Sequence, residues 1–370
     1  MKAGSSVRRA ALLLSASLAA AGICGAETQD GLTVSGQVVQ AVSVSTPLGG
    51  AMALSGGAAS SLALTLEANH ESASVRASAR ISILGGDEAA LFWASEAASP
   101  SRALWILASP AFNPAAAVPD RIAVLALDEL SLRWNTGSFA FEAGKTLANW
   151  GVGRAFSPAD FFAEFDYSSG TPARLSKLIA RATWFPAAAS RVDLVYDPYA
   201  AEGAALAARL YAACLDSLAF SVAAGLRAAA GASPQKALGA VDASFDLPFA
   251  SPYGEAMVSV PLDNSSAPSY SMLAGATARI GDTTLLGEYL FSPEAAVRHS
   301  IYAQAALKLD DWISLSLPAL FYPESGILTA GLSLVASDIA GLDWTMTAST
   351  GRSALGVWNA KLAFTALCSF

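Results

Sequence analysis

The side chains of this chain that could do chemistry are charges set singly into apolar runs. Between Val75 and Leu84, Val75, Ala77, Ala79, Ile81 and Ile83 occupy one parity and Arg76, Ser78, Arg80 and Ser82 the other. Side chains alternate across a strand, so such a run has one apolar face and one charged face. Glu67 sits the same way within Ser61–Asn69, as do Arg133, Glu142, Arg181, Arg209, Arg279 and Lys361 in later runs. Lys177, Arg191, Arg227 and Lys308, with Asp193, Asp242, Glu255, Glu288 and Asp343, share that parity. A charge at the middle of an otherwise apolar strand needs water on its own side. The chemistry on offer is therefore electrostatic: a wet interior that orders water and biases which solutes pass. Pairing across strands is the competing use of the same residues.

Bond-making chemistry has little to work with. The chain holds two histidines, His70 in a short turn and His299 at the start of a strand. Neither lies near a Ser-centred motif, and there is no Gly-x-Ser-x-Gly, no His-Glu-x-x-His and no phosphate loop. Clustered His or Cys for a metal is lacking as well. We expect no enzyme, no cofactor and no metal. Cys214 and Cys368 fall on apolar parities of distant strands, and the expectation is two small apolar side chains with no disulfide.

The most distinctive stretch is Glu142 to Tyr167, EAGKTLANWGVGRAFSPADFFAEFDY. It starts as a strand and runs into a long join. Gly151 and Gly153 permit sharp turns and close backbone approach. Trp150, Phe156, Phe161, Phe162 and Phe165 can anchor a folded loop, leaving Arg154, Asp160, Glu164, Asp166 and Arg174 to face water. The stretch resembles the segment Gly-Lys/Gln-x-x-x-x-Trp-Gly…Phe-x-Pro-x-Asp of porin-like outer-membrane families. Gly144, Lys145, Trp150, Gly151, Phe156, Pro158 and Asp160 hold those places. The resemblance implies an inward-folded third external loop that narrows a channel, with those five charges at the constriction. A loop closed over the outer mouth, with no role in selectivity, is the competing reading.

The elements that must position these residues follow from composition. The 370 residues are 54% hydrophobic and 14% charged, with mean hydropathy +0.44, where soluble chains carry about a quarter charged residues. Yet no segment after the N-terminal region offers the roughly 20 uninterrupted apolar residues of a spanning helix. The nearest, Ala103 to Leu127, is broken by Pro110, Asn113, Pro114, Pro119 and Asp120. Hydrophobicity without long apolar runs fits strands that turn half their side chains to lipid. Residues 1–26 read as an export signal: Lys2, Arg8 and Arg9, then the apolar Ala10 to Ala21, then a small-residue cleavage site. Lipid attachment at Cys24 is the rival, disfavoured by the bulky Ile23 before it. Removing 1–26 takes three of the 22 basic and none of the 30 acidic residues, which leaves 19 against 30, a net −11. That balance argues against nucleic acid as a partner.

Residues 27–370 then read as one all-β domain, a transmembrane antiparallel up-and-down barrel of about 18 strands, or 16 if one weak pair fails. The Ala-rich runs Ala204–Cys214 and Leu218–Arg227 carry the least periodic signal. Short turns alternate with longer joins, among them a loop Ser45–Ser60 and the long external loops near 85–120 and 146–174. Outward aromatics gather in two belts. Trp134, Phe139, Phe141, Trp184, Phe220, Phe245, Trp344 and Phe370 fall at one end; Tyr196, Tyr270, Tyr289, Phe291 and Trp358 fall at the other. The run Val357 to Phe370 alternates cleanly and closes on Phe370, an ending that resembles the terminal strand of outer-membrane barrels. That resemblance implies Phe370 as an assembly signal, with the barrel-assembly machinery and outer-membrane lipid as partners. The expected function is an outer-membrane porin-like channel for passive or weakly selective diffusion of small hydrophilic solutes, with a homotrimer as a compatible assembly. An occluded structural or adhesin-type barrel, plugged by the Gly85–Asp120 loop, is the alternative. A hydrophobic-solute transporter fits less well with an Arg-rich wall.

Overall fold

The computed structural model describes residues 28–29, 31–48, 55–98, 105–106, 121–166, 172–198, 203–215, 217–229, 235–263, 267–295, 297–339, 341–352 and 357–369. The export signal, Cys24 and Phe370 lie outside the described residues.

The wall is built from β1 (Leu32–Leu48), β2 (Ser55–His70), β3 (Ala73–Gly86), β4 (Arg121–Thr136), β5 (Phe139–Thr146) and β6 (Lys177–Ala187). It continues with β7 (Ser190–Asp197), β8 (Ala205–Leu215), β9 (Leu218–Arg227), β10 (Lys236–Phe245), β11 (Ala250–Pro261) and β12 (Ser269–Ile280). It ends with β13 (Thr283–Phe291), β14 (His299–Lys308), β15 (Ile313–Tyr322), β16 (Ile327–Ile339), β17 (Leu342–Arg352) and β18 (Trp358–Ser369). Each strand pairs antiparallel with its neighbour in sequence, and β18 returns to β1 from Gln37↔Ser369 to Leu48↔Trp358. The result is a closed 18-stranded up-and-down barrel. Closure gives every wall strand a bonded neighbour on both sides, which is the condition for a sheet to stand in lipid.

Joins alternate in length as the strand reading expects. At one end they are short: 71–72, 137–138, 188–189, 216–217 and 281–282 among them. At the other end lie the long ones, 87–120 and 147–176. The two Ala-rich runs are strands β8 and β9, paired along their length. The expected loop Ser45–Ser60 is shorter than its composition suggests, because β1 continues to Leu48 and β2 already starts at Ser55. Serine and glycine there are tolerated because Ser45↔Ser55 and Val44↔Gly56 complete the ladder.

The outward face is apolar along every strand: Leu64 and Leu66 on β2, Ile81 and Ile83 on β3, Leu206 and Leu210 on β8, Leu362 and Phe364 on β18 are all exposed. Near the short-turn end Trp134, Phe141, Phe139 and Trp184 stack in sequence across β4, β5 and β6, with ring centroids 5.8 to 6.4 Å apart. Tyr196, Tyr270, Tyr289 and Trp358 are exposed at the long-join end. Among the described residues neither Cys214 nor Cys368 is in a disulfide.

One irregularity changes what faces inward. Ser78 pairs with Glu129 and Ala79 with Leu127, so Asp128 is an extra residue in β4. Such a bulge reverses the parity of the strand on its two sides. Ile122 and Val124 face inward before it, and Leu130, Leu132 and Trp134 face outward after it. The bulge also delivers two successive carboxylates to one wall: Asp128 meets Arg80 at 2.9 Å and Glu129 meets Arg76 at 3.2 Å. Strict alternation gives only one of two neighbours to each face, so two successive acids on one wall are not legible from parity.

Among the described residues, two further pieces lie in the interior. Helix α1 (Asp87–Ala98) follows β3 and occupies the start of the long join at 87–120. Its Ala89 and Trp93 pack on Ile122, Val124, Leu84 and Phe92. Its Glu88 receives Lys361 Nζ at 2.9 Å and Ser43 Oγ at 2.8 Å. The second piece is the segment 147–176.

Candidate functional site

Segment 147–176 leaves β5 and returns to β6, and its described residues, 147–166 and 172–176, lie against the inner wall of the barrel. It starts where the wall is locally unusual. Gly144 has φ +133°, and a Cβ there would stand 2.0 Å from the Leu130 carbonyl oxygen. Next to it Lys145 Nζ donates to the Leu127 carbonyl. The chain then turns inward. Trp150 is almost fully buried, with Phe162 edge-on at 5.1 Å and Phe161 at 6.1 Å.

Those three rings rest on a wall of small residues: Ala205 and Ala207 of β8, Ala223 of β9 and Ala240 of β10, with Ile179, Val195 and Leu238 around them. Further along, Phe156 and Ala155 pack on Leu273, Tyr302 and Leu320 of β12, β14 and β15. The segment thus covers the inner wall from β6 to β15. Burying each of these aromatics is worth several kcal/mol, about 1.5–3 per large apolar side chain, and this is what holds a loop against a barrel wall.

Two wall carboxylates fix its course. Glu255 of β11 accepts from Val152 N at 2.5 Å, Gly153 N at 2.6 Å and Ala159 N at 2.9 Å, and Ser157 Oγ donates to it at 3.2 Å. Glu288 of β13 accepts from Arg154 N at 2.5 Å and from Ala155 N and Phe156 N at 2.9 Å each; Tyr253 Oη adds a fourth donor at 2.5 Å. Successive backbone N–H groups curled around one carboxylate form an anion-holding nest, here filled by the protein's own side chains. Gly151 makes the turn at φ +75°, and a Cβ on it would sit 2.5 Å from Glu255 Oε1. A Cβ on Gly153 would sit 1.8 Å from the Phe156 carbonyl oxygen. No side chain fits at either place.

A third carboxylate holds the segment to itself. Asp160 Oδ2 accepts from Trp150 N at 3.0 Å and from Arg174 Nη1 at 2.6 Å, and Oδ1 accepts from Phe162 N at 3.1 Å. Arg174 also donates to the carbonyls of Trp150 and Gly153, at 3.3 and 3.1 Å, and its guanidinium lies 5.1 Å from the Phe165 ring centre. Burial pushes the Asp160 carboxyl up to about 6, against the lowering effect of Arg174 and the two amides. Beneath the loop Arg209 is buried, with Ser221 at 2.8 Å and Asp242 at 3.3 Å.

Of the five charges expected to face water, two do something else. Asp160 is buried and Arg174 mostly so, because they supply the internal hydrogen bonds that a loop with little secondary structure needs. Arg154 is exposed. Glu164 is half-exposed and sits 3.5 Å from Lys177. The side chain of Asp166 lies outside the described residues. Among the wall residues, Arg181 pairs with Glu142. Arg133 reaches Asn135 at 3.2 Å, Glu67 accepts from Asn69 at 3.1 Å, and Arg279 donates to the Gly281 carbonyl at 3.4 Å. In the sequence Glu255 and Glu288 read only as lining. Their neighbours in sequence carry no sign that a loop more than a hundred residues earlier would bind them.

Among the described residues no group of three or more His, Cys, Asp and Glu is placed to hold a metal. The geometry instead describes a barrel narrowed from within by a pinned loop. No protein-family profile matches the sequence, and no curated protein sequence does. The fold, however, is that of outer-membrane channels. OccAB4 of Acinetobacter baumannii is similar with a TM-score of 0.57 at 8% identity, over 91% of this chain and 98% of that one. OpdL of Pseudomonas aeruginosa is similar at 0.57 and 9%, over 92% and 99%. OpdK of the same organism, solved with vanillate, is similar at 0.55 and 7%, over 91% and 99%.

Proposed function

We propose that this chain is an outer-membrane channel through which small hydrophilic solutes diffuse with weak selectivity, and that segment 147–176 sets its narrowest point. The observation that carries the reading is the attachment of that segment to Glu255 and Glu288. A barrel that only needed to be filled could use apolar contacts alone. Two buried carboxylates, each meeting several N–H groups, fix one particular loop position. Wall charges are largely met in pairs, Arg76–Glu129, Arg80–Asp128 and Arg181–Glu142 among them. A balanced lining of that kind favours water and polar solutes over one sign of ion. The exposed Arg154 and half-exposed Glu164 are the loop charges that solutes would meet. Lipid around the apolar outer face and the barrel-assembly machinery would be its partners in the outer membrane, reached after signal-directed export; trimers are compatible with this arrangement.

Planar-bilayer recording tests the proposal. The folded protein should conduct, and deleting 149–169 should raise the unitary conductance. Glu255→Gln combined with Glu288→Gln should give larger and noisier openings, since charge-assisted bonds of about 1.5–3 kcal/mol each weaken together. Folded protein that shows no conductance and admits no sugar in liposome swelling would instead be an occluded structural barrel.

A further inference from the structure

A second interior feature lies away from the pinned loop. Near the long-join end, a cavity of about 540 Å³ opens between α1 and the inner face of β1, β16, β17 and β18. Its floor is two registered rows. Ser45, Lys361 and Ser349 stand side by side in one; Asn359, Gly351 and Thr329 stand side by side in the next. Gly351 carries no side chain between its two polar neighbours, and this hollows the floor. Asp87 and Glu88 of α1 form the other wall.

The charges of this cavity are already engaged. Lys361 meets Glu88 at 2.9 Å, Ser43 also donates to Glu88, and Ser45 donates to Asp87 at 3.2 Å. The side chains of Thr329, Ser349 and Asn359 face the same space and have no hydrogen-bond partner among the described residues. Hydroxyl and carboxamide groups both donate and accept. They match a ligand whose own groups do both, and with Lys361 neutralised no described lining residue offers a free cation to select an anion. A volume within the usual 300–1,000 Å³ of small-molecule sites holds a sugar with its bridging waters.

We propose that this cavity is a solute subsite for neutral polyhydroxylated molecules of mono- to disaccharide size, engaged before the solute reaches the pinned loop. The proposal rests on the channel reading for its transport role, but binding can be measured without conductance. A glucose disaccharide added on the long-join side should cause concentration-dependent transient block of the ion current. Calorimetric titration of the detergent-folded protein should show the same affinity. Ser349→Ala with Asn359→Ala should weaken both by about tenfold, the loss of two hydrogen-bonding groups.

Gly351→Leu should abolish both while the barrel still folds, as judged by heat-modifiable electrophoretic mobility. A Cβ at Gly351 meets only ordinary contacts, at 3.5 and 3.7 Å, so the substitution fills the cavity without straining the strand. Conducting protein that neither binds nor is blocked by the disaccharide would overturn the subsite and leave the channel standing. Binding that survives Gly351→Leu, or tighter binding of gluconate than of the neutral sugar, would also overturn it. Non-conducting protein that binds the disaccharide and loses it in Gly351→Leu would uphold the subsite and remove the channel.

Discussion

Asp160 shows how much a single carboxyl can decide. Its acidity is displaced to about 6 because burial outweighs Arg174 and two amides. A carboxyl held above its ordinary value takes up a proton more readily folded than unfolded. Acidification from about pH 6 to 4 therefore costs no global stability through this residue; the ionised form is the one that folding disfavours. The effect is local. Below about pH 6 Arg174 loses its counter-charge within the pinned loop, and preference should shift toward anions. Reversal potentials in a salt gradient should follow that titration, and Asp160→Asn should give the low-pH value at every pH. An unshifted reversal potential between pH 7 and 5 would contradict this. Sequence spacing identified Asp160 and Arg174 as belonging to one loop but assigned them to water. Their real use depends on which backbone amides lack partners, and that is settled only when the loop is folded.

At the scale of elements, the strands that were hardest to recognise are those the loop needs most. Ala205, Ala207, Ala223 and Ala240 lie on inward parities, where a wet wall should be polar. Both faces of β8 and β9 are thus largely apolar, and the two-residue alternation that marks a half-lipid strand fades. Trp150, Phe161 and Phe162 explain it, because an aromatic docking from inside needs small, dry positions below it. Ala223→Leu should therefore leave β9 paired but push the rings off the wall. Overpacking of this kind costs about 1–3 kcal/mol. The expected readouts are a larger unitary conductance and increased proteolysis within 147–176, and unchanged values for both would argue against the docking role. Clear alternation in β2, β3 and β18 was legible directly. The Asp128 bulge was not, since one inserted residue looks like any other until its partner strand is in place.

For the whole molecule, closure is the property on which all the others depend. β18 is bonded to β17 on one side and β1 on the other, so Phe364→Pro removes a ladder donor from a strand with no free edge. The variant should lose heat-modifiable mobility altogether, whereas the same change at exposed Phe249 in a short turn should be tolerated. Strand number, turn alternation and both aromatic belts were readable because lipid imposes them locally, residue by residue. What fills the interior was not, since those contacts join parts of the chain far apart.

That separation has a temporal side. Val152 N reaches Glu255 across 103 residues and Arg154 N reaches Glu288 across 134. The amides that curl around these carboxylates come well before, in chain order, the strands that carry them. Long-range contacts of this kind form after the loops between them have closed. The barrel must therefore be largely assembled around an empty interior, and the passage takes its final width only as one of the last events of folding.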